Sequence, residues 1–349
     1  MSIDALIGRT GEWLRGEGPE SDIVISTRVR LARNIAEFPF MSRSTDEQKR
    51  DLERLLSAKT LNARLADDMI YVGLEDLPEI DRLYLMECHL ISREHAEAEG
   101  ARGVAVGRQA TVSIMVNEED HLRMQGIRSG LELEATWGMM SEIDDVLQDD
   151  LCFAFSDRFG YLTACPTNVG TGMRVSVMLH LPALAITRHI EKVFNAVAKM
   201  NLVVRGLYGE GTQAYGDLYQ ISNQVTLGKS EQDIIEGVAS VIPRVAAYER
   251  QARRYLMDDK RPELEDRVWR SYGMLRNART ITSEETMHLL SQVRMGVNLA
   301  LVGQVEMKTV NELFVLTLPA HLQKQEGRIL EADERNVARA RLVRTKLEV

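Results

Sequence analysis

The chain has 349 residues, enough to bury a substantial core and, by the usual length of domains, to divide into about two. Its 43 Lys and Arg against 52 Asp and Glu leave a net charge of −9, which argues against an extended nucleic-acid face, and no apolar run nears the roughly 18 residues that cross a bilayer. Cys88, Cys152 and Cys165 include no CxxC pair, so neither a disulfide framework nor a zinc site is expected; with no signal-peptide pattern over residues 1–20, the cytoplasm is the expected compartment.

In chain order, residues 3–15 place Ile3, Leu6, Ile7, Trp13 and Leu14 on one side of a short amphipathic helix, a packing arm closed by Gly16 and Gly18-Pro19. Residues 22–34 enter as an apolar strand and continue with Arg28, Arg30 and Arg33. On a strand, Arg28 and Arg30 share a face and repel each other unless solvent or an anion separates them. Residues 45–66 form a helix capped at Thr45 or Asp46. Short strands follow at 69–72, 104–106 and 111–116, with a helix carrying His89 over 83–99. Then Asn117-Glu118-Glu119-Asp120-His121-Leu122-Arg123 crowds three acids, a His and an Arg at a strand end, costly unless they hold something or start a solvated helix. Residues 129–150 are helical.

Gly160 to Pro182 reads as strand, tight polar loop, strand. Pro166, Asn168, Gly170 and Gly172 supply turn chemistry around Cys165, so a thiol sits where backbone amides converge, beside the permanent cation of Arg174. A hairpin with a merely small Cys is the alternative. A helix over 183–200 and a strand at 202–204 lead into Arg205 to Asp217, whose four glycines suit a loop that folds over a ligand. A strand at 218–222 and a long helix from Ser230 to about Leu256 close the first part. Beyond 258 the pattern turns to helix after helix, over roughly 262–278, 283–299, 307–318 and 333–347. The expected fold is α+β: a largely antiparallel sheet flanked by helices, followed by an all-α C-terminal domain. The boundaries are 1–20 for the arm, 21–257 for the sheet domain and 258–349 for the helical domain.

If Arg28, Arg30, Arg123, Arg174 and Arg205 line one cleft, their charge calls for a polyanion such as a nucleoside triphosphate. Phosphoryl transfer asks the protein mainly for charge neutralisation, in-line positioning and a base, and Glu118 or Glu119 is the candidate base. P-loop, protein-kinase glycine-loop and GxGxxG patterns are missing, so a different nucleotide fold is required.

Four blocks settle which fold to expect. Ser26 to Asn34, Asn117 to Arg123, Cys165 to Gly172 and Arg205 to Gly211 resemble, in order, the signature blocks of the phosphagen (guanidino) kinases, the similarity covering about residues 20–255. Phosphagen kinases carry a helical domain ahead of the first block that closes on a small guanidine. Here some twenty residues stand there, and a helical extension follows behind. Both features, with Asn201 to Gly211 and Ile221 to Glu231, resemble the bacterial protein-arginine kinases of the McsB type. The resemblance implies ATP-dependent phosphorylation of arginine side chains in proteins; the alternative is a kinase of a small free guanidine such as arginine.

By that resemblance Glu119 is the base that polarises the substrate guanidinium, and Cys165, as a thiolate, orients one of its nitrogens without covalent attack. The nucleotide is implied to contact Ser26, Thr27, Arg28, Val29 and Arg30, Arg123, the run Arg174, Val175, Ser176, Val177 and Met178, and the run Arg205, Gly206, Leu207, Tyr208, Gly209 and Glu210, with His89 near the adenine. Mg2+ bridges the phosphates without a named protein ligand. Creatine and arginine kinases carry Arg where Tyr208 stands and Glu where Gln213 stands, so a second lid carboxylate is missing from this pattern.

In the last helix Arg335 and Arg339 lie one turn apart, ordinarily a solvated basic face. The family carries an Arg-Asp-x-x-Arg-Ala phosphoarginine-binding motif there, matched by Arg335, Arg339 and Ala340, with Asn336 in place of the Asp. The implied partners are protein substrates presenting arginine, a zinc-binding activator protein, a stress-response repressor and a Clp unfoldase. Neither direct nucleic-acid nor membrane contact is expected, and a homodimer is.

Overall fold

Runs that alternate apolar and polar residues at 24–33, 122–129 and 173–180 become the long central strands of the sheet, and shorter β-branched runs extend it on both sides. A computed structural model describes residues 3, 6–8, 11–61, 69–107, 109–207 and 214–348. In chain order the strands are β1 (Val24–Arg33), β2 (Ile70–Gly73), β3 (Gly103–Val106), β4 (Val112–Val116), β5 (Leu122–Ser129), β6 (Phe155–Ser156), β7 (Gly160–Tyr161), β8 (Met173–His180), β9 (Leu202–Gly206) and β10 (Leu218–Asn223). Eight form one sheet in the order β2-β3-β4-β5-β1-β8-β10-β9, antiparallel throughout, while β6 and β7 make a separate hairpin.

The helices are α1 (Asp46–Thr60), α2 (Glu79–Glu87), α3 (Arg93–Glu97), α4 (Leu133–Asp150), α5 (Pro182–Ile186), α6 (Ile190–Ala198), α7 (Glu231–Asp259), α8 (Arg261–Asn277), α9 (Ser283–Asn298), α10 (Met307–Leu316), α11 (Pro319–Glu326) and α12 (Ala332–Leu347). Helices α4 and α7 cover one face of the sheet, burying Val29, Leu31, Val175, Val177 and Ile221 beneath them. The opposite face of the same strands carries the polar alternates. One apolar core runs from Trp13 through the sheet to Val343 and Leu347, so α8, α9, α10 and α12 share the core of the sheet, while Ala320 of α11 joins a second, smaller core with Val72, Val104 and Met115. At the expected boundary near 257, α7 runs unbroken to Asp259 and Lys260 leads directly into α8.

Several expected elements are interrupted. The helix expected over 83–99 stops at Glu87, because His89 takes a left-handed backbone with φ +59°; it restarts after Ser92, whose side chain accepts from His95 N. Arg188, at φ +58°, divides the helix expected over 183–200 into α5 and α6. Pro319 lacks the N–H that would continue α10, so α11 begins there, an additional helix between those expected over 307–318 and 333–347. Thr45 does cap α1, through a capping box with Gln48, and α1 ends at Thr60; residues 62–68 lie outside the described residues. In the N-terminal arm the described part is a turn at 6–8 and a 3₁₀ turn at Glu12–Leu14, not a continuous helix.

Candidate functional site: an arginine-lined sheet face

Strand register brings the five arginines onto one face. Arg30 of β1 stands opposite Arg174 of β8; Arg28 stands opposite Ser176; Arg123 of β5 lies opposite Ala32, one alternate further along; Arg205 of β9 lies opposite Gln220 of β10. Arg28 donates to Gln220 Oε1 at 2.7 Å, and Arg174 donates to Ser222 Oγ at 3.0 Å. The charges depress one another: burial, then Arg123 and Arg174, bring the Arg28 guanidinium down to about 10, and burial with Arg28, Arg123 and Arg174 lowers Arg30 further. Burial and the neighbouring Arg205 and Arg123 lower Arg174 as well. Nε of Arg30 and Nε of Arg174 are buried without a hydrogen-bond acceptor. A face of clustered, mutually repelling cations with orphaned donors fits a ligand carrying several anionic oxygens, as a triphosphate does.

Two loops meet at the end of the sheet where β1 finishes and β5 and β8 begin. In the β4–β5 loop Asn117 takes φ +61° and its buried side chain donates to Lys49 O and Ala101 O, fixing a tight turn. That turn gives Glu118 and Glu119 different fates. Glu118 accepts from Arg123 at 2.7 Å, from Ser92 Oγ at 2.6 Å and from Glu119 N at 3.0 Å, and these partners overcome burial to hold it down at about 2. Glu119 is exposed, and burial of part of its side chain together with Asp120 and Glu118 raises its pKa. Glu118 is committed to Arg123, whereas Glu119 is the carboxylate free to take a proton.

Cys165 sits in the loop ahead of β8, its Sγ 2.9 Å from Thr167 Oγ1. Asp120 ties this loop to the acidic one: its Oδ1 accepts from Ala164 N and from Asn34 Nδ2, both at 2.6 Å. Asn34 also donates to Leu162 O and accepts from His121 N. The residues adjoining Glu119 and Cys165 are thus joined through one buried carboxylate. Sequence reading assigns Asp120 and Asn34 no role beyond membership of their motif blocks and assigns none to Ser92, Gln220 and Ser222. The i, i+2 spacing of Gln220 and Ser222 on a strand was a usable signal for those two.

Strand alternation divides the stretches expected to contact the nucleotide. Ser26, Arg28 and Arg30, and Arg174, Ser176 and Met178, belong to the polar face. Thr27, Val29, Val175 and Val177 point to the other side, where the three valines are fully buried in the core and Thr27 donates to Gly130 O. Their side chains are therefore corrected from ligand contacts to core. His89, Met178 and Leu207 line one small apolar cavity with Trp13, whose ring meets His89 edge-on at 5.0 Å, and Phe314 of α10 forms a further wall. Burial, Arg28 and His321 lower His89 to about 3, so it presents a neutral ring. Gly206 ends β9 beside Arg205; Tyr208, Glu210 and Gly209, like Gln213, lie outside the described residues.

Arg339 on α12 is not a solvated cation. It is 2% exposed and donates to Thr317 O, Ile281 O and Asn336 Oδ1, so its guanidinium staples the ends of neighbouring helices together. Arg335 is half-buried and donates to Leu330 O; Ala340 is buried.

The family "ATP:guanido phosphotransferase, C-terminal catalytic domain" matches residues 52–252, and "Protein-arginine kinase McsB C-terminal domain" matches residues 261–349. The chain is 47% identical over 351 residues to a protein-arginine kinase of Halothermothrix orenii, covering 100% of both chains. It is likewise 47% identical over 357 residues to one of Symbiobacterium thermophilum, covering 99% of each. Among solved structures, the substrate-free duplicated taurocyamine kinase of Schistosoma mansoni superposes with a TM-score of 0.59 at 30% identity, over 68% of this chain and 34% of that duplicated one. A lombricine kinase superposes with a TM-score of 0.57 at 26% identity, over 71% and 70%.

Proposed function

The chain belongs to the ATP:guanido phosphotransferase family in its protein-arginine kinase branch, and from that membership we propose how this sheet face phosphorylates arginine side chains of proteins with ATP. The observation that carries the proposal is the clustering of Arg28, Arg30, Arg123, Arg174 and Arg205 on one face, with the Glu119 and Cys165 loops at its end.

In this reading the arginine face grips the triphosphate and offsets the charge that gathers on the phosphoryl oxygens and on the departing ADP. A substrate guanidinium enters beside Glu119 and Cys165. Its pKa in water lies far above neutrality, so it needs a base at the moment of attack. Glu119, with its pKa raised, takes a proton from the guanidinium as the nitrogen forms its bond to the γ-phosphorus and the bond to the ADP oxygen breaks. Cys165 holds a second guanidine nitrogen in line. Glu118 takes no proton, because Arg123 and Ser92 hold it ionised, and it in turn fixes Arg123 against the phosphates. Mg2+ would arrive with the nucleotide and would add its charge to that of the arginines in offsetting the charge of the phosphates. No described helix is long and apolar enough to cross a membrane. We place the reaction in the cytoplasm, where ATP is abundant and where the thiols of Cys88, Cys152 and Cys165, unpaired in the fold, stay reduced.

The test is mass spectrometry of a denatured protein incubated with ATP, seeking acid-labile P–N modification of arginine. Glu119→Gln should lower kcat by roughly 10²- to 10⁴-fold, the range for loss of a general base, with ATP affinity unchanged. Phosphorylation confined to free arginine would overturn the protein-kinase reading, and a fully active Glu119→Gln would overturn the role of the base.

A further inference from the structure

The hairpin that precedes the Cys165 loop is too small to need a core, yet it displays aromatic rings. Phe155 is 56% exposed and Phe159 43%, in a pairing of two residues per strand held apart from the main sheet. Phe155 stacks edge-on against Tyr161 at 5.3 Å; Tyr161 bridges to Gly170 on the far side of the Cys165 turn. Gly170, at φ +115°, presses so closely on the chain beyond β10 that a Cβ would lie 2.6 Å from Thr226 O and 2.8 Å from Leu227 Cα. Thr226 hydrogen-bonds the Cys165 turn at Thr167 O and Val169 O, and its two neighbours Val225 and Leu227 are 42% and 52% exposed. The Cys165 turn is thus bracketed by exposed apolar side chains, Phe155 and Phe159 on one flank and Val225 and Leu227 on the other.

A single exposed apolar residue needs no explanation, but a series on both sides of one loop is a recognition surface. We propose that this surface binds the substrate polypeptide itself: an extended segment with aliphatic or aromatic residues near the arginine that enters beside Glu119 and Cys165. The inference rests on the reading of the site as a protein-arginine kinase and adds what surrounds the chosen arginine. Two observations favour a substrate chain as occupant. The apolar flanks are continuous with the guanidine loop through the Tyr161–Gly170 and Thr226 contacts, so a chain lying on them delivers its arginine to Cys165. Next to Phe155, an open groove of about 670 Å³ is bordered by Asp149, Asp150, Cys152 and Tyr161, and its acidic rim complements a basic, arginine-bearing segment. Asp150 holds Lys59 only in an exposed ion pair, which a substrate cation can displace.

The test uses the full chain and two synthetic peptides of equal length and charge, each with one arginine, flanked in one by Leu and Phe and in the other by Ser and Gly. The unsubstituted enzyme should show about tenfold higher kcat/KM on the apolar peptide, a modest share of what burying such side chains provides. Phe155→Ser with Phe159→Ser should bring the two peptides to near parity while leaving the Ser/Gly peptide's rate and the thermal transition unchanged; Leu227→Ser checks the opposite flank. If the unsubstituted enzyme phosphorylates neither peptide nor a denatured protein, the kinase reading itself falls. If it phosphorylates both without preference, or keeps its preference in both variants, the docking surface falls alone. If the Phe variants alter the oligomeric state by sedimentation and leave the preference intact, the patch joins copies of this chain and the proposal is overturned.

Discussion

Arg30 and Arg33 stand three residues apart on β1, and the fold has treated them in opposite ways. Arg33 points into the core, 1% exposed, where it forms a two-bonded pair with Asp144 of α4 at 3.0 and 2.6 Å, donates to Ala32 O and Thr171 O, and lies under the ring of Tyr161 at 3.5 Å. Four of its five N–H donors are answered, and all three nitrogens have an acceptor. Arg30 points to the other face, where its near neighbours include Arg28, Arg123 and Arg174 and its Nε has no acceptor. Other scaffold arginines follow the first pattern: Arg253 pairs with Glu249, Arg294 binds Ser21 O, Asp22 O and Asn311, and Arg339 binds helix-end carbonyls. A buried arginine whose donors are answered by the protein holds the structure together; one crowded by like charges, with a buried donor unanswered, waits for a ligand.

The sharpest way to break that contrast is to remove the charge from each position. Arg33→Met should destabilise the protein by about 3–5 kcal/mol, the cost of leaving the buried Asp144 carboxylate without its partner, read as a lower denaturant midpoint. Changing Asp144 to Asn as well should recover much of the loss. Equal stability of Arg33→Met and the parent would show that the pair does not hold α4 to the sheet.

Arg30→Met should do the reverse. Removing one of several crowded cations should leave stability without ligand unchanged or slightly higher, but abolish the stabilisation that ATP confers, about 2.7 kcal/mol at a concentration 100 times Kd. Thermal shifts with and without ATP separate the two effects. A variant that still gains its full shift would remove Arg30 from the phosphate site.

The contrast also marks how far the sequence could be read. Arg28 and Arg30 on one face followed from a period of two, and a largely antiparallel sheet followed from short β-branched runs with turn residues between them, though not the order of its strands. What a period cannot supply is the partner. Arg33 carried no role in the sequence pattern and Arg339 only the phosphoarginine role the family implies; tertiary packing brings Asp144 beside one and the carbonyls of Thr317 and Ile281 beside the other. Likewise, valines 29, 175 and 177 fell inside expected ligand runs because a motif is written as consecutive letters, whereas a strand presents alternate ones. Asp120 stood out only as one of three crowded acids, and its positioning role stayed hidden because its partners Asn34 and Ala164 are 86 and 44 residues away.

Asp120 extends the contrast to the acids, because it is satisfied where Glu119 is open. Asp120→Ala removes the acceptor shared by Ala164 N and Asn34 Nδ2, and should cost about 1–3 kcal/mol of stability. Loss of stability alone would be a structural result. The positioning role predicts in addition that kcat falls about tenfold while KM for ATP is unchanged, as expected when reacting groups are displaced without touching the nucleotide. Asp120→Asn, which keeps an acceptor oxygen, should restore most of the rate. Parallel losses in both variants would sink the role.

The smallest effect is the one that separates two adjacent carboxylates by pH. Glu119 is raised by partial burial and by Asp120 and Glu118, so as pH falls it binds its proton above the usual 4.5 and the base is lost there. Glu118 is held at about 2 by Arg123 and Ser92, so the stability it confers is complete above the ordinary carboxylate value and disappears only as pH falls toward 2. Activity should therefore decline reversibly while near-ultraviolet circular dichroism remains native, with unfolding following at lower pH. Asp120→Asn should move the acid limb of kcat/KM downward, by less than about one unit, because it removes one of the like charges that raise Glu119. A limb that coincides with unfolding, or that does not move in Asp120→Asn, would mean that the open carboxylate is not the group whose proton limits the reaction.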